Sequence, residues 1–200
     1  MFTPAYLRLP LDDLKQRVLR AFEQITCCVN CGWECKVDRR VKLGICRTGV
    51  RARLVSYGAH LGEENPLRGW RGSGTIFFGR CNLHCQYCQN YDISQMDAGQ
   101  EVEPDELASI MLELQVNGCH NINFVSPTHV VAPILAAVLI TAQVGLHLPL
   151  VYNTGGYDSL PALQLLDGVV DGNLEAGPRQ LEEILLREPG RVGQEMRIQG

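Results

Sequence analysis

An α/β fold with parallel strands is predicted by two features of this sequence. From Gly74 onward, short β-branched and aromatic runs alternate with longer segments whose apolar residues recur at helical spacing. Strands separated by helices in this way form βαβ units with right-handed crossovers. An apolar content of 46% over 200 residues suffices to pack one ordinary domain with a small appendage. The composition divides the chain into a cysteine-rich N-terminal region at 1–72, an alternating part at 73–171 and a divergent tail with a short helix at 172–200.

The elements follow in order. Leu11, Leu14, Val18, Phe22 and Ile25 share a helical face and predict an amphipathic helix over 11–25, opened by Pro10 and the early acids Asp12 and Asp13. Residues 50–57 alternate as a short strand, and the Gly-, Pro- and charge-rich stretch 62–72 reads as a connector. Within it the pair Glu63 and Glu64, with His60 just before, reads as a solvated loop in preference to a substrate or cation site. Thr75 to Phe78 is the first strand of the alternating part. Pro104 opens a helix carrying Leu107, Ile110, Met111 and Leu114 on one face, and Asn117-Gly118 closes it. Then come a strand at 122–125, a helix at 130–144 ended by Gly145, a strand at 150–152, a helix at 160–166 and a fourth strand beginning at Val169 and Val170.

Charge and cysteine usage narrow the function classes. A net charge of −4 and a pI near 5.7 leave no basic footprint for a nucleic-acid backbone. The N-terminus has neither a secretory nor a transit pattern, and the apolar run 130–142 is short and broken by Pro133, so neither export nor a membrane is expected. Eight of the nine cysteines fall in two short clusters, which argues for metal in a reducing compartment, the cytoplasm, over a disulfide framework.

The second cluster is Cys81, Cys85 and Cys88, spaced C-x3-C-x2-C directly after the first strand of the alternating part. Three thiolates on a four-iron cubane leave one iron without a protein ligand, an open position for a small molecule. Zinc and plain buried thiols are the competing readings, although zinc sites more often pair their cysteines as C-x2-C knuckles. The first cluster, Cys28, Cys31, Cys35 and Cys46 with Cys27 as a spare, offers four thiolates around a turn-rich loop, enough to enclose either a structural zinc or an auxiliary iron-sulfur cluster. Cys119 has no partner near it in sequence and reads as a buried thiol.

Around the triad the sequence resembles the radical S-adenosylmethionine (SAM) superfamily. The resemblance rests on C-x3-C-x-aromatic-C with Tyr87 before Cys88, and on Gln89 and Asn90 after it. The phrases SYGAHLGEENPL from Ser56, GCHNINFVSPTHV from Gly118 and LPLVYNTGGYDS from Leu148 are similar to the pyruvate formate-lyase activating enzyme-like branch. Such a resemblance implies a partial (βα) barrel and a [4Fe-4S] cluster on Cys81, Cys85 and Cys88. It also implies SAM bound at the open iron and cleaved reductively to a 5′-deoxyadenosyl radical for hydrogen abstraction, with activation of a glycyl-radical enzyme as one outcome. An electron donor such as flavodoxin or ferredoxin and a protein substrate follow as expected partners.

Ligands of parallel α/β sheets gather at the carboxyl ends of the strands. That rule selects the cysteine loop, Ser126, Pro127 and Thr128 after the second strand, and Asn153 and Thr154 after the third. By resemblance Ser126 to Thr128 lie at the SAM amino group, Asn153 and Thr154 near its ribose or carboxylate, and Tyr87 against its adenine. Capping and turn chemistry is the competing reading for all of these rim residues. The chain departs from the expected six-stranded barrel after residue 171, where Gly172, Asn173 and Glu175 suit a buried strand poorly. A shortened barrel with an unpaired edge is therefore expected. A non-catalytic metal-binding interaction module and an inactive shortened form are the rival readings.

Overall fold

A computed structural model describes residues 2–175. The helices are α1 Leu11–Gln24, α2 Asn65–Arg68, α3 Tyr91–Ser94, α4 Pro104–Val116, α5 Val131–Gln143 and α6 Leu160–Leu166. The strands are β1 Ala52–His60, β2 Ser73–Phe78, β3 Gln100–Val102, β4 Ile122–Val125, β5 Leu150–Thr154 and β6 Gly172–Glu175. They form one six-stranded sheet in the order β3-β1-β2-β4-β5-β6. The run from β2 to β6 is parallel, whereas β1 pairs antiparallel with both β2 and β3.

Alternation along the strands sorts the two faces. Ile76, Phe78, Ile122, Phe124, Leu150 and Tyr152 enter a single apolar core together with Leu14 of α1, Leu107, Met111 and Leu114 of α4 and Ile134, Leu135 and Val138 of α5. The intervening residues Thr75 and Asn123 are also buried but polar, and Asn123 Nδ2 donates to Glu63 Oε1 at 3.1 Å. Glu63 therefore turns inward from the connector, where burial raises its carboxyl above the usual range. A freely solvated Glu63 was expected; the amide of Asn123 draws it in.

Local chemistry accounts for the helix limits. Glu103 and Glu106 form a reciprocal capping box at the start of α4, and Gly118 at φ 83° lets the chain leave its end. The predicted α1, α4, α5 and α6 lie within a residue or so of their expected spans. The fourth parallel strand does not begin at Val169 and Val170. Both of their N–H groups donate to the Leu166 carbonyl, in a turn that follows Gly168 at φ 69°. Val169 is a core plug, and pairing with β5 begins only at Gly172. Gly172, Asn173 and Glu175, which suit a strand poorly by composition, thus form β6. The boundary expected near Ser73 falls between two strands that pair across it, with His60 opposite Ser73. The helix expected around Leu181, Ile184 and Leu185 and the tail from Glu188 lie outside the described residues. Among the described residues no helix is long and apolar enough to cross a membrane.

Asp171 ties the N-terminus to the sheet. Its carboxylate accepts from Ala5 N at 2.8 Å and Leu150 N at 2.9 Å. Asp171→Ala strands both donors and is expected to lower unfolding free energy by about 2 kcal/mol, read as a fall in the urea midpoint at unchanged m-value.

Candidate functional site

Parallel strands β2, β4 and β5 deliver three segments to one rim of the sheet. The cysteine loop 79–90 follows β2, Ser126 to Val130 follow β4, and Gly155 to Ser159 follow β5. The first and last touch directly: a Cβ added to Gly155 would stand 1.9 Å from Leu83 Cδ1, so only glycine leaves room for the cysteine loop as it is packed.

The triad spans a range of exposure. Cys81 is buried, Cys88 half-buried and Cys85 exposed. Burial pushes the Cys81 thiol up, while the backbone N–H of Leu83, 3.4 Å from its Sγ, opposes that shift by stabilising a thiolate. Cys88 Sγ meets Ser94 Oγ of α3 at 3.2 Å. Arg80 and His84, the residues immediately before Cys81 and Cys85, adopt left-handed φ of 65° and 52°. Side chains other than glycine seldom adopt that conformation, and it concentrates where the chain is held to a functional geometry. Among the described residues no three Cys, His, Asp or Glu side chains stand close enough together to hold a metal ion. Beyond burial, the charges of Cys85 and Cys88 also push the Cys81 thiol up.

The remaining rim residues divide into two groups. Tyr87 is 95% exposed and packs on nothing, which removes core packing as its role. Ser126 is half-buried at a left-handed φ of 52°, and its N–H donates to Asn153 O at 2.8 Å, tying the ends of β4 and β5 together. Pro127, Thr128 and Thr154 are buried. Both threonine hydroxyls donate to Asp158, that of Thr128 to Oδ1 at 2.6 Å and that of Thr154 to Oδ2. Tyr152 OH donates to the same Oδ1 at 2.8 Å. Asp158 was not picked out from sequence because no spacing motif surrounds it. Four residues after Thr154, it is visible only once the β5 loop folds back.

His129 lies beneath the cysteine loop, fully buried, with Nε2 3.0 Å from the carbonyl of Gly79. Burial pulls its imidazole down to about 4.

The first cysteine cluster packs against the same rim. Cys31 bridges to Asp158, Gly32 N donates to Tyr157 O at 3.2 Å, and Ser159 N donates to Asn30 O at 3.4 Å. Trp33 Nε1 donates to Asn82 O at 2.6 Å, and its ring meets Tyr157 edge-on. The Asn82 side chain sits between the clusters. Its Nδ2 donates to Tyr157 O at 3.3 Å, Cys81 Sγ lies 3.9 Å from its Oδ1, and its amide favours a thiolate at Cys31.

A three-cysteine loop on the rim of a parallel sheet sets out a candidate metal centre, and sequence comparison assigns its class. The radical SAM superfamily profile matches residues 75–192, more than half of the chain, and the chain belongs to that superfamily. It is also 33% identical over 192 residues to the uncharacterized protein MJ0674 of Methanocaldococcus jannaschii, an alignment covering 87% of this chain and 54% of the relative. The chain thus spans about half the length of that relative. No solved structure matches it. Membership of that superfamily implies a [4Fe-4S] cluster and SAM.

Two outcomes test this geometry. Asp158→Ala leaves three buried hydroxyls without their acceptor and is expected to cost about 3 kcal/mol in urea unfolding, with Asp158→Asn losing less. His129 is neutral in the fold and binds a proton more readily when unfolded. Its contribution is therefore complete above about pH 6.5 and is lost as pH falls toward 4, by about 3 kcal/mol in all. His129→Gln should flatten that part of the stability profile of the metal-free chain.

Proposed function

We propose that this chain is the catalytic core of a radical SAM enzyme of the pyruvate formate-lyase activating enzyme-like branch. In this reading Cys81, Cys85 and Cys88 ligate the cluster. The observation that carries it is the triad loop itself: three cysteines spaced C-x3-C-x2-C directly after the first parallel strand, with the backbone N–H of Leu83 3.4 Å from Cys81 Sγ, on a chain of the radical SAM superfamily. The donor set suits a cubane with one open iron better than a closed zinc site, because three cysteines on one loop leave a fourth position free. The sheet, with β2, β4, β5 and β6 in parallel register, suits part of a (βα) barrel.

Cys81, Cys85 and Cys88 would hold the cluster, which with bound SAM would supply one-electron reductive cleavage of the sulfonium S–C5′ bond, releasing methionine and a 5′-deoxyadenosyl radical able to take hydrogen from a substrate. The chain's own work is placement. Exposed Tyr87 offers a face for the adenine, and Ser126 and Asn153 offer polar groups at the ends of adjacent strands. Thr128 and Thr154 give their hydroxyl protons to Asp158, so in this reading they shape the SAM wall through that carboxylate and through their methyl groups. Pro127 stiffens the same turn. Flavodoxin or ferredoxin would supply the electron. A glycine backbone in a partner enzyme is the proposed hydrogen donor.

Anaerobic reconstitution followed by electron spin resonance of the reduced protein tests the reading. The expected result is a [4Fe-4S]⁺ signal that changes shape on adding SAM, with loss of the signal in Cys81→Ala. Absence of iron at the triad, or a signal indifferent to SAM, overturns it.

A further inference from the structure

The two cysteine clusters are built differently: the first offers four sulfurs on one segment, the second three. We propose that Cys28, Cys31, Cys35 and Cys46 bind one zinc ion in a closed four-sulfur site, which pins the N-terminal segment against the triad loop.

Residues 28–51 lie between the 3-10 turn ending at Cys27 and the start of β1, and contain no helix or strand, only the single bridge at Cys31. A stretch of that length without regular structure is uncommon in a compact domain unless something other than a ladder or a core holds it. Its apolar side chains do not supply a core: Trp33, Val41, Leu43 and Ile45 are all exposed. The cysteines are the reverse, with Cys28, Cys31 and Cys46 buried and Cys35 half-buried.

Contacts within the segment fold it back on its own cysteines. Cys28 N donates to Val37 O at 2.9 Å and Lys36 N to Cys28 O at 3.0 Å, which brings Cys35 beside Cys28. Gly44, two residues before Cys46, packs on Cys35, since an added Cβ there would stand 2.7 Å from Cys35 Sγ. Arg39, itself buried and held by the carbonyls of Thr48 and Gly49, places Nη1 4.0 Å from Cys28 Sγ and offsets part of the negative charge of a tetrathiolate. Glu34, Lys36 and Arg47 adopt left-handed φ of 39°, 52° and 53°, and each is the immediate neighbour of Cys35 or Cys46.

Four cysteines suit zinc and an iron-sulfur cluster alike, and the Cys-x2-Cys knuckle of Cys28 and Cys31 favours zinc. Four sulfurs satisfy a tetrahedral ion and leave no open position, which defines a structural site and not a catalytic one. Among the described residues no three Cys, His, Asp or Glu side chains are gathered to metal-bonding distance, so metal binding must draw the sulfurs in, and its free energy then stabilises the fold. That tightening reaches the triad loop through Trp33 with Asn82, Ile45 O with His84 Nε2 at 3.1 Å, and Arg80 with the Arg47 carbonyl.

The test separates the two metals by using the full chain with Cys81, Cys85 and Cys88 all changed to Ala. Elemental analysis should give one zinc per chain, and the protein should be colourless. Stripping with EDTA should lower its melting temperature, and cobalt(II) added in place of zinc should give the d–d bands of a tetrahedral thiolate site. No zinc in this variant, or iron with sulfide and visible absorption, overturns the proposal, as does full zinc retention after Cys28→Ser with Cys31→Ser. If the triad variant does not accumulate, zinc-edge X-ray absorption of the unaltered chain decides: four sulfur neighbours support the site, and nitrogen or oxygen neighbours refute it. None of these readings depends on whether the triad signal responds to SAM.

Discussion

One carboxylate organises the rim of this sheet. Asp158 has no Lys, Arg or His partner in an ion pair among the described residues and instead collects the hydroxyls of Thr128, Tyr152 and Thr154. A partly buried carboxylate is expensive unless its lone pairs are filled, and hydrogen bonds to a charged acceptor are stronger than neutral ones. The arrangement therefore ties the turn after β4 to the strand and turn of β5. Because Cys31 pairs with the backbone of Asp158, the same residue also fastens the N-terminal cysteine segment.

The helices were legible in the sequence because their signals are local. Pro104 with Asn117-Gly118 brackets α4, and the spacing of Leu14, Val18 and Phe22 marks α1 without reference to anything distant. Strand β6 was not legible for the converse reason. Nothing in Gly172-Asn173 favours an extended conformation, and pairing with Val151 and Tyr152 imposes it from outside. Val169 and Val170 carry the composition of a strand and serve as turn and core plug, which is tertiary context overriding propensity. β3 is three residues long and is defined only by its pairing with the start of β1.

At the site the legible part was chemical and the illegible part was geometric. Cys81, Cys85 and Cys88 announce themselves by spacing, and the rim positions of Ser126 and Asn153 follow from the polarity of parallel strands. Asp158 and Asn82 carry no motif. Each acts through residues distant in sequence, Asp158 with Thr128 and Asn82 with Trp33 and Tyr157. The left-handed backbone at Arg80, His84, Glu34, Lys36 and Arg47 was equally silent, since arginine, glutamate and lysine give no hint of positive φ. Among the described residues, five of the six non-glycine residues in that conformation adjoin a clustered cysteine, which places the conformational cost where sulfur atoms must be aimed.

A loop with this much local strain does not hold its own shape, and its walls come from elsewhere. Leu83 is seated on Gly155 from the β5 side, Asn82 and His84 are engaged by Trp33 and Ile45 from the N-terminal side, and Cys88 leans on Ser94 of α3. Arg47 and Arg80 reinforce this, since Arg80 donates to the Arg47 carbonyl while Arg47 donates to the carbonyl of Gln95. The cysteine loop depends for its geometry on three separate chain segments, the turn after β5, the N-terminal cysteine segment and α3. The N-terminal cysteine segment is thus part of the machinery that positions the triad, and a parallel sheet alone would leave that loop without two of its walls.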